Sequence, residues 1–256
     1  MSMTLPEIER CLKQLRLSGV RATLETRILQ AQSSHQAFLE TFSLVLQDEL
    51  DRRRSRLIER RYQQSGLDEK PTLAEFDWGF NPKLPRQACF ELHTLKFIAG
   101  GENALLIGRP GTGKSFIAKA VAYNATLQGY RVRYVETDEF FAHYAFAAPA
   151  LRKTELGPLI DADLLVLDDL FLAKRPPEGA GEALQSIIHQ RYKLRRSVIV
   201  TSNRIIQDWG PYLGDNTMAT TILDRLMHRS HLLEFEGKSY RLKEAAEKLA
   251  RKPKSR

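Results

Sequence analysis

Cysteine is almost absent from this chain: Cys11 and Cys89 are the only two in 256 residues, and they lie far apart. That excludes a disulfide framework and fits a reducing cytosol. No apolar run approaches the roughly 20 residues of a membrane-spanning helix. Glu7, Glu9 and Arg10 stand too early for a secretion leader, so a cytoplasmic location and no membrane partner are expected. There is no internal repeat and no low-complexity tract. Cys/His/Asp clusters with metal-ligand spacing are also missing. His228 and His231 lie three apart with no further ligand nearby, and read as packing or surface residues.

Positive charge is in excess. Lysine and arginine number 39 against 31 acidic residues, a net charge of +8. Residues 225–256 hold ten basic against four acidic residues, so most of the surplus is at one end. An anionic partner fits this balance. Lys252, Lys254 and Arg256 by themselves read as a solvated tail.

Residues 108–115 read Gly-Arg-Pro-Gly-Thr-Gly-Lys-Ser, the G-x-x-x-x-G-K-[ST] phosphate-binding pattern. Glycine at Gly108, Gly111 and Gly113 allows a tight turn whose N–H groups face phosphate oxygens. Lys114 is placed to reach the β- and γ-phosphates of ATP, and the Ser115 hydroxyl to reach Mg²⁺. The apolar run Asn103–Ile107 before the loop has strand length. Phe116, Ile117, Ala120 and Val121 after it repeat at helical spacing. Strand, glycine loop and helix make the context the motif needs. The candidate nucleotide-binding set is Gly108, Arg109, Pro110, Gly111, Thr112, Gly113, Lys114, Ser115 and Phe116.

About fifty residues later, Leu-Leu-Val-Leu-Asp-Asp-Leu at 164–170 reads as a buried parallel strand ending in carboxylates. Asp168 is the candidate metal ligand with Ser115. Asp169 is the candidate to orient or activate the attacking water. A third apolar run ends Thr201-Ser202-Asn203, and Asn203 is placed to hydrogen-bond that water or the γ-phosphate. Turn capping is the alternative reading of an Asn there.

Residues 4–61 read as helices. Leu5, Ile8, Leu12 and Leu15 form one stripe, broken at Ser18-Gly19, and Val20, Leu24 and Ile28 form a second. Ser33-Ser34 can cap a third helix with Phe38, Leu39, Phe42, Leu46 and Leu50 on its apolar face. Its far end carries Arg52, Arg53, Arg56 and Arg60 among interleaved acids. That pattern suits i,i+4 pairing on a solvated helix and nucleic-acid binding equally. Residues 66–85 read as a linker. Phe76, Trp78 and Phe80 within it suit core packing, or stacking on adenine. Beyond it, helix 86–99, strand 130–135, helix 138–146, strand 164–167, helix 180–194 and strand 198–201 alternate. Repeated βα units mean an α/β domain with a parallel sheet between helices. The expected organisation is a helical domain over 1–65, a linker over 66–85, an ATPase domain over 86–245 and a basic tail over 246–256.

These residues together resemble the IstB-type transposition helper ATPases, AAA+ proteins related to the DnaC-type helicase loaders. The resemblance covers nearly the whole chain. It rests on the phosphate loop, the Asp168-Asp169 strand, Ile199-Val-Thr-Ser-Asn-Arg204, Trp209, Ile222-Leu-Asp-Arg-Leu226, His228-Arg-Ser-His231 and Gly237-Lys-Ser-Tyr-Arg241. Lys238 departs from the glutamate expected there. The resemblance implies a three-layer α/β/α AAA+ fold with a reduced C-terminal lid. It implies that Arg225 is an arginine finger reaching the γ-phosphate in a neighbouring subunit, and that Arg241 is a second sensor arginine reaching its own nucleotide. It further implies an ATP- and Mg²⁺-dependent ATPase that oligomerises on duplex DNA and assists a transposase. Arg152 and Lys153 fall where related initiators insert DNA-contacting elements. The alternatives are a helicase loader and a nucleotide-dependent adaptor with little hydrolysis.

Overall fold

The computed structural model describes residues 3–250, which form two compact units, one up to Arg60 and one from Arg61. The division falls inside a long helix.

The first unit contains α1 (Leu5–Gln14), α2 (Ser18–Ser33) and most of α3 (Phe38–Ser65). The Thr4 N–H donates to Glu7 Oε2 at 2.7 Å and starts α1. Gly19 lets α2 close on α3, since a Cβ there would stand 2.6 Å from Glu49 Cα. The N–H groups of Gly19 and Val20 donate to buried Glu49 at 2.6 and 3.3 Å. They thereby satisfy donors of the first helical turn. Three expectations change here. Ser18-Gly19 opens α2 instead of separating two helices. Ser33 ends α2, and α3 starts only at Phe38, so the serine pair does not cap it. Phe38, Leu39, Phe42, Leu46 and Leu50 are exposed, while Val45 and Glu49 are the buried positions of α3 within this unit. Helical spacing defines a face but not what covers it.

The second unit is built on a five-stranded parallel sheet of order β2-β3-β4-β1-β5. Its strands are β1 (Asn103–Gly108), β2 (Val132–Glu136), β3 (Leu164–Asp168), β4 (Ser197–Ser202) and β5 (Ser230–Phe235). On β1, Ala104 and Leu106 enter one core and Leu105 and Ile107 the other, as the two-residue strand period requires. The first core faces α4 (Arg86–His93), α5 (Lys96–Gly100) and α6 (Lys114–Leu127). The second faces α7 (Thr137–Phe146), α8 (Pro149–Asp161), α9 (Ala180–Lys193), α10 (Trp209–Leu213) and α11 (Asn216–Met227). The result is the three-layer α/β/α arrangement of the AAA+ P-loop fold. A final helix, α12, spans Tyr240–Ala250.

Residues 86–99 form two helices, because Leu95 takes a left-handed φ of 64° and ends the run. The stretch 66–85 is packed rather than loose: Leu67, Leu73 and Leu84 are buried in the first core, with Phe76 and Trp78 against it. Strand β5 went unread in the sequence. It is an edge strand whose only buried residues are Leu233 and Phe235. Residues 246–250, read as tail, belong to α12, and the basic positions from Arg251 onward lie outside the described residues. Among the described residues, no helix is long and apolar enough to cross a membrane.

Candidate nucleotide site

The phosphate loop joins the end of β1 to the start of α6, at the carboxyl edge of the sheet where open parallel sheets bind ligands. Gly111 and Gly113 adopt φ of 75° and 101°. Both also have neighbours that exclude a side chain. A Cβ on Gly113 would stand 2.5 Å from the Phe76 ring, and one on Gly111 would collide with the Ser239 hydroxyl. Phe76 also contacts Phe116, with ring centroids 5.5 Å apart. The aromatic stretch before the sheet therefore packs against the loop itself. From the other side, the Tyr240 N–H donates to Gly111 O at 2.9 Å. Asn81 holds that segment by pairing both its amide atoms with the Lys238 backbone, at 2.9 and 3.0 Å. Lys238 thus engages through its main chain, which is indifferent to the side chain at that position.

Within the loop, Thr112 is buried and its hydroxyl donates to Arg109 O at 2.8 Å, while Arg109 and Pro110 are exposed. Lys114 is buried at the start of α6. Its Nζ donates to Gly108 O at 2.8 Å, Arg109 O at 2.9 Å and Asn203 Oδ1 at 2.7 Å. Burial lowers its pKa to about 8, against the opposing pull of Asp169 and Asp168. Ser115 and Phe116 follow, both half-buried.

The carboxylates stand across from the loop. Asp168 ends β3, buried, and accepts hydrogen bonds from Thr201 Oγ1 at 2.5 Å and from the Tyr134 hydroxyl at 2.6 Å. Asp169 leaves the strand with φ of 49°, an uncommon conformation for a residue with a side chain, and its N–H donates to Thr201 Oγ1 at 2.9 Å. Burial first, then the charge of Asp168, raises the Asp169 pKa. Asn203 links the two sides: it accepts from Lys114 and donates to Asp169 Oδ1 at 3.5 Å. Arg241 on α12 is exposed and close enough for its charge to act on both Lys114 and Asp169. Ser115 and Asp168 offer oxygen donors alone, a set that suits Mg²⁺ shared with nucleotide phosphates.

Arg225 is not with this group. It lies near the C-terminal end of α11, beside the start of β1, where Asn103 Nδ2 donates to Leu226 O at 3.0 Å. The loop is at the other end of β1, roughly 17 Å away at about 3.3 Å per residue. Arg225 donates from Nη1 to Thr221 O at 2.7 Å and from Nε to His189 Nδ1 at 3.2 Å. Burial, then the charges of Lys193 and Arg225, lower the His189 pKa and favour the neutral ring that can accept this bond.

The candidate DNA residues divide. Arg52, Arg53, Arg56 and Arg60 are exposed on α3, with Arg53 paired to Glu49 at 2.7 Å. Arg152 is spent locally: it donates to Ala147 O at 3.2 Å and Ala145 O at 3.0 Å, and stacks over Tyr144. Lys153 is exposed. Sequence reasoning passed over Tyr134, Asn81 and His189. Each supports a recognised residue from a distant part of the chain, and only Thr201, inside a quoted strand, carried a local signal.

Sheet order, glycine loop and paired carboxylates define a P-loop nucleotide-binding protein of the AAA+ class. Residues 10–248 match the IstB-like ATP binding protein family, and the chain belongs to it. It is 35% identical over 239 residues to the IS21 insertion-sequence ATP-binding protein of Pseudomonas aeruginosa, covering 93% of this chain and 89% of that protein. It is 29% identical to an insertion-sequence ATP-binding protein of Mycobacterium tuberculosis, covering 94% and 96%. Among solved structures it is similar to AMPPCP-bound DnaA from Aquifex aeolicus, at 26% identity and a TM-score of 0.54 over 73% of this chain and 56% of that one. It also shares the fold of DnaI, with a TM-score of 0.55 and 21% identity over 65% and 91%.

Proposed function

We propose that this protein is an ATPase that assembles on duplex DNA in its ATP-bound state and assists the transposase of its insertion sequence. The relatives' insertion-sequence origin and the nucleotide analogue bound to DnaA support the reading. The observation that carries it is the separation of Arg225 from its own phosphate loop. A cation that serves the γ-phosphate from the far end of the sheet must serve a neighbour's, so hydrolysis requires assembly.

In this reading the loop N–H groups hold the phosphates, and Lys114 turns from the loop carbonyls toward them. Ser115 and Asp168 would hold Mg²⁺, which when bound would supply charge neutralisation to the phosphates. Asp169 and Asn203 orient the attacking water, with Asp169 as its proton acceptor. Arg241 from its own chain and Arg225 from the next stabilise charge developing on the transferred group. Exposed arginines of α3 and Lys153 meet the DNA backbone, so binding weakens steeply with salt and reads little sequence.

Size analysis of the full chain with ATP, with and without duplex or single-stranded DNA, tests the proposal. A large assembly that needs both ATP and duplex, and that Lys114→Ala abolishes, is the expected result. Assembly on single strands alone would replace it with helicase loading. Unchanged assembly by Lys114→Ala would remove the nucleotide from the mechanism.

A further inference from the structure

The chain leaves β3 through two left-handed positions, Asp169 with φ of 49° and Phe171 with φ of 68°. Both carry side chains, so this course costs free energy and persists only where neighbours hold it. The neighbours are residues 201–204, at the end of β4. The Asp169 N–H donates to Thr201 Oγ1 at 2.9 Å and the Leu170 N–H to Thr201 O at 2.8 Å. Ser202 Oγ donates to Leu170 O at 2.7 Å. Arg204 makes the last rungs. Its Nε donates to Phe171 O at 2.6 Å and its Nη2 to Ala173 O at 3.2 Å. Its guanidinium lies over the Tyr212 ring at 4.5 Å, and the same ring packs on Phe171 with centroids 4.7 Å apart. A planar guanidinium can donate from its edge while its face rests on a ring, which a lysine ammonium cannot reproduce.

Arg204 follows Asn203 directly. Asn203 reaches Lys114 and Asp169 in the nucleotide site, while Arg204 grips the chain just beyond Asp169. Two consecutive residues thus tie the end of β4 to both sides of one carboxylate. That matters because a misplacement of about 1 Å can cost about 10²-fold in rate.

We propose that Arg204 is a positioning residue for hydrolysis, holding the 169–173 turn in its left-handed course so that Asp169 stays aligned with Asn203. The inference rests on the reading of Asp169 and Asn203 as the pair that orients the attacking water. Arg204 itself touches neither nucleotide nor water.

The test uses full-length Arg204→Met and Arg204→Lys, each alone and combined with Asp169→Asn. With duplex DNA present, Arg204→Met should lower kcat by about 10- to 10²-fold. Its KM for ATP and its affinity for a non-hydrolysable ATP analogue should stay within about threefold of wild type. Arg204→Lys, which can still reach one carbonyl, should recover part of the loss, and it carries the same test if Arg204→Met does not fold. In the Asp169→Asn background, Arg204→Met should cost less than about threefold, because both changes act through one carboxylate. The same fold-loss in both backgrounds overturns the proposal, as does a loss of ATP affinity that matches the loss of turnover. Hydrogen exchange on nucleotide-free protein reads the brace without turnover. Amides of 169–173 should exchange at least about tenfold faster in Arg204→Met, with those of β3 unchanged. Unchanged protection of the turn removes the brace. Faster exchange with normal turnover keeps the brace and removes its positioning role. A wild-type chain without turnover refutes the water-orienting reading itself, and the positioning role falls with it.

Discussion

Cations gather at both ends of the sheet, but carboxylates stand among them at the carboxyl edge, whereas none lines the cleft at the amino edge. At the carboxyl edge Lys114 and Arg241 face Asp168 and Asp169, and Asn203 bridges the two sides. At the amino edge Arg225 lies among Lys193, Arg195 and Arg229 without an acid in the cleft. The carboxyl edge is balanced within one chain and needs only nucleotide and metal. At the amino edge, in the proposed reading, Arg225 meets its anion in a neighbouring subunit. This asymmetry makes a single subunit an incomplete enzyme in the proposed reading.

The strongest way to break the contrast is Arg225→Ala. Turnover should fall by about 10³ or more, the scale on which such cations act. ATP affinity, measured by equilibrium titration, should stay within about threefold of wild type. Equal loss of ATP binding would mean that Arg225 supports its own subunit's fold. Next, Asp169→Asn should lower turnover by about 10², within the usual reach of general-base chemistry, and hold the ATP-bound assembly on DNA. Dissociation at the wild-type rate would deny Asp169 that role.

A smaller effect is expected at His189. His189→Ala frees Arg225 Nε, and turnover should drop by about tenfold, the loss of roughly one hydrogen bond's worth of positioning. Restoration by His189→Asn, whose amide oxygen can accept the same bond, separates positioning from packing. The last test concerns Lys114 in nucleotide-free protein. Its folded pKa of about 8 lies below the ordinary 10.5, so between those pH values the unfolded chain binds more protons. Its contribution to stability therefore rises with pH across that window. Denaturant midpoints should show wild type gaining on Lys114→Met from pH 7.5 to pH 10. A constant gap would mean that Lys114 is not desolvated.

The carboxyl edge was largely legible because its residues cluster in short motifs. A loop at 108–115, two aspartates at a strand end and an Asn at another each carry their chemistry in a few consecutive positions. Their supports were not legible. Tyr134 reaches Asp168 from an edge strand, and Asn81 grips Lys238 across 157 positions of sequence. The apolar stripe of α3 misled because periodicity reports a face and not its cover. The segment 66–85 misled because prolines and polar residues can still frame three buried leucines.

Sequence by itself determined the class: glycines that permit the loop, apolar runs that force buried parallel strands, and the side chains that end them. Tertiary structure decided which of those side chains meet. Sheet order brings the ends of β1, β3 and β4 together and leaves the end of α11 on the opposite edge. Spacing along a chain carries no distance between strands, because crossover helices make neighbours of segments far apart in sequence. The acid-free cleft at the amino edge exists for that reason: residues from 101 to 229 meet there only once the sheet has formed.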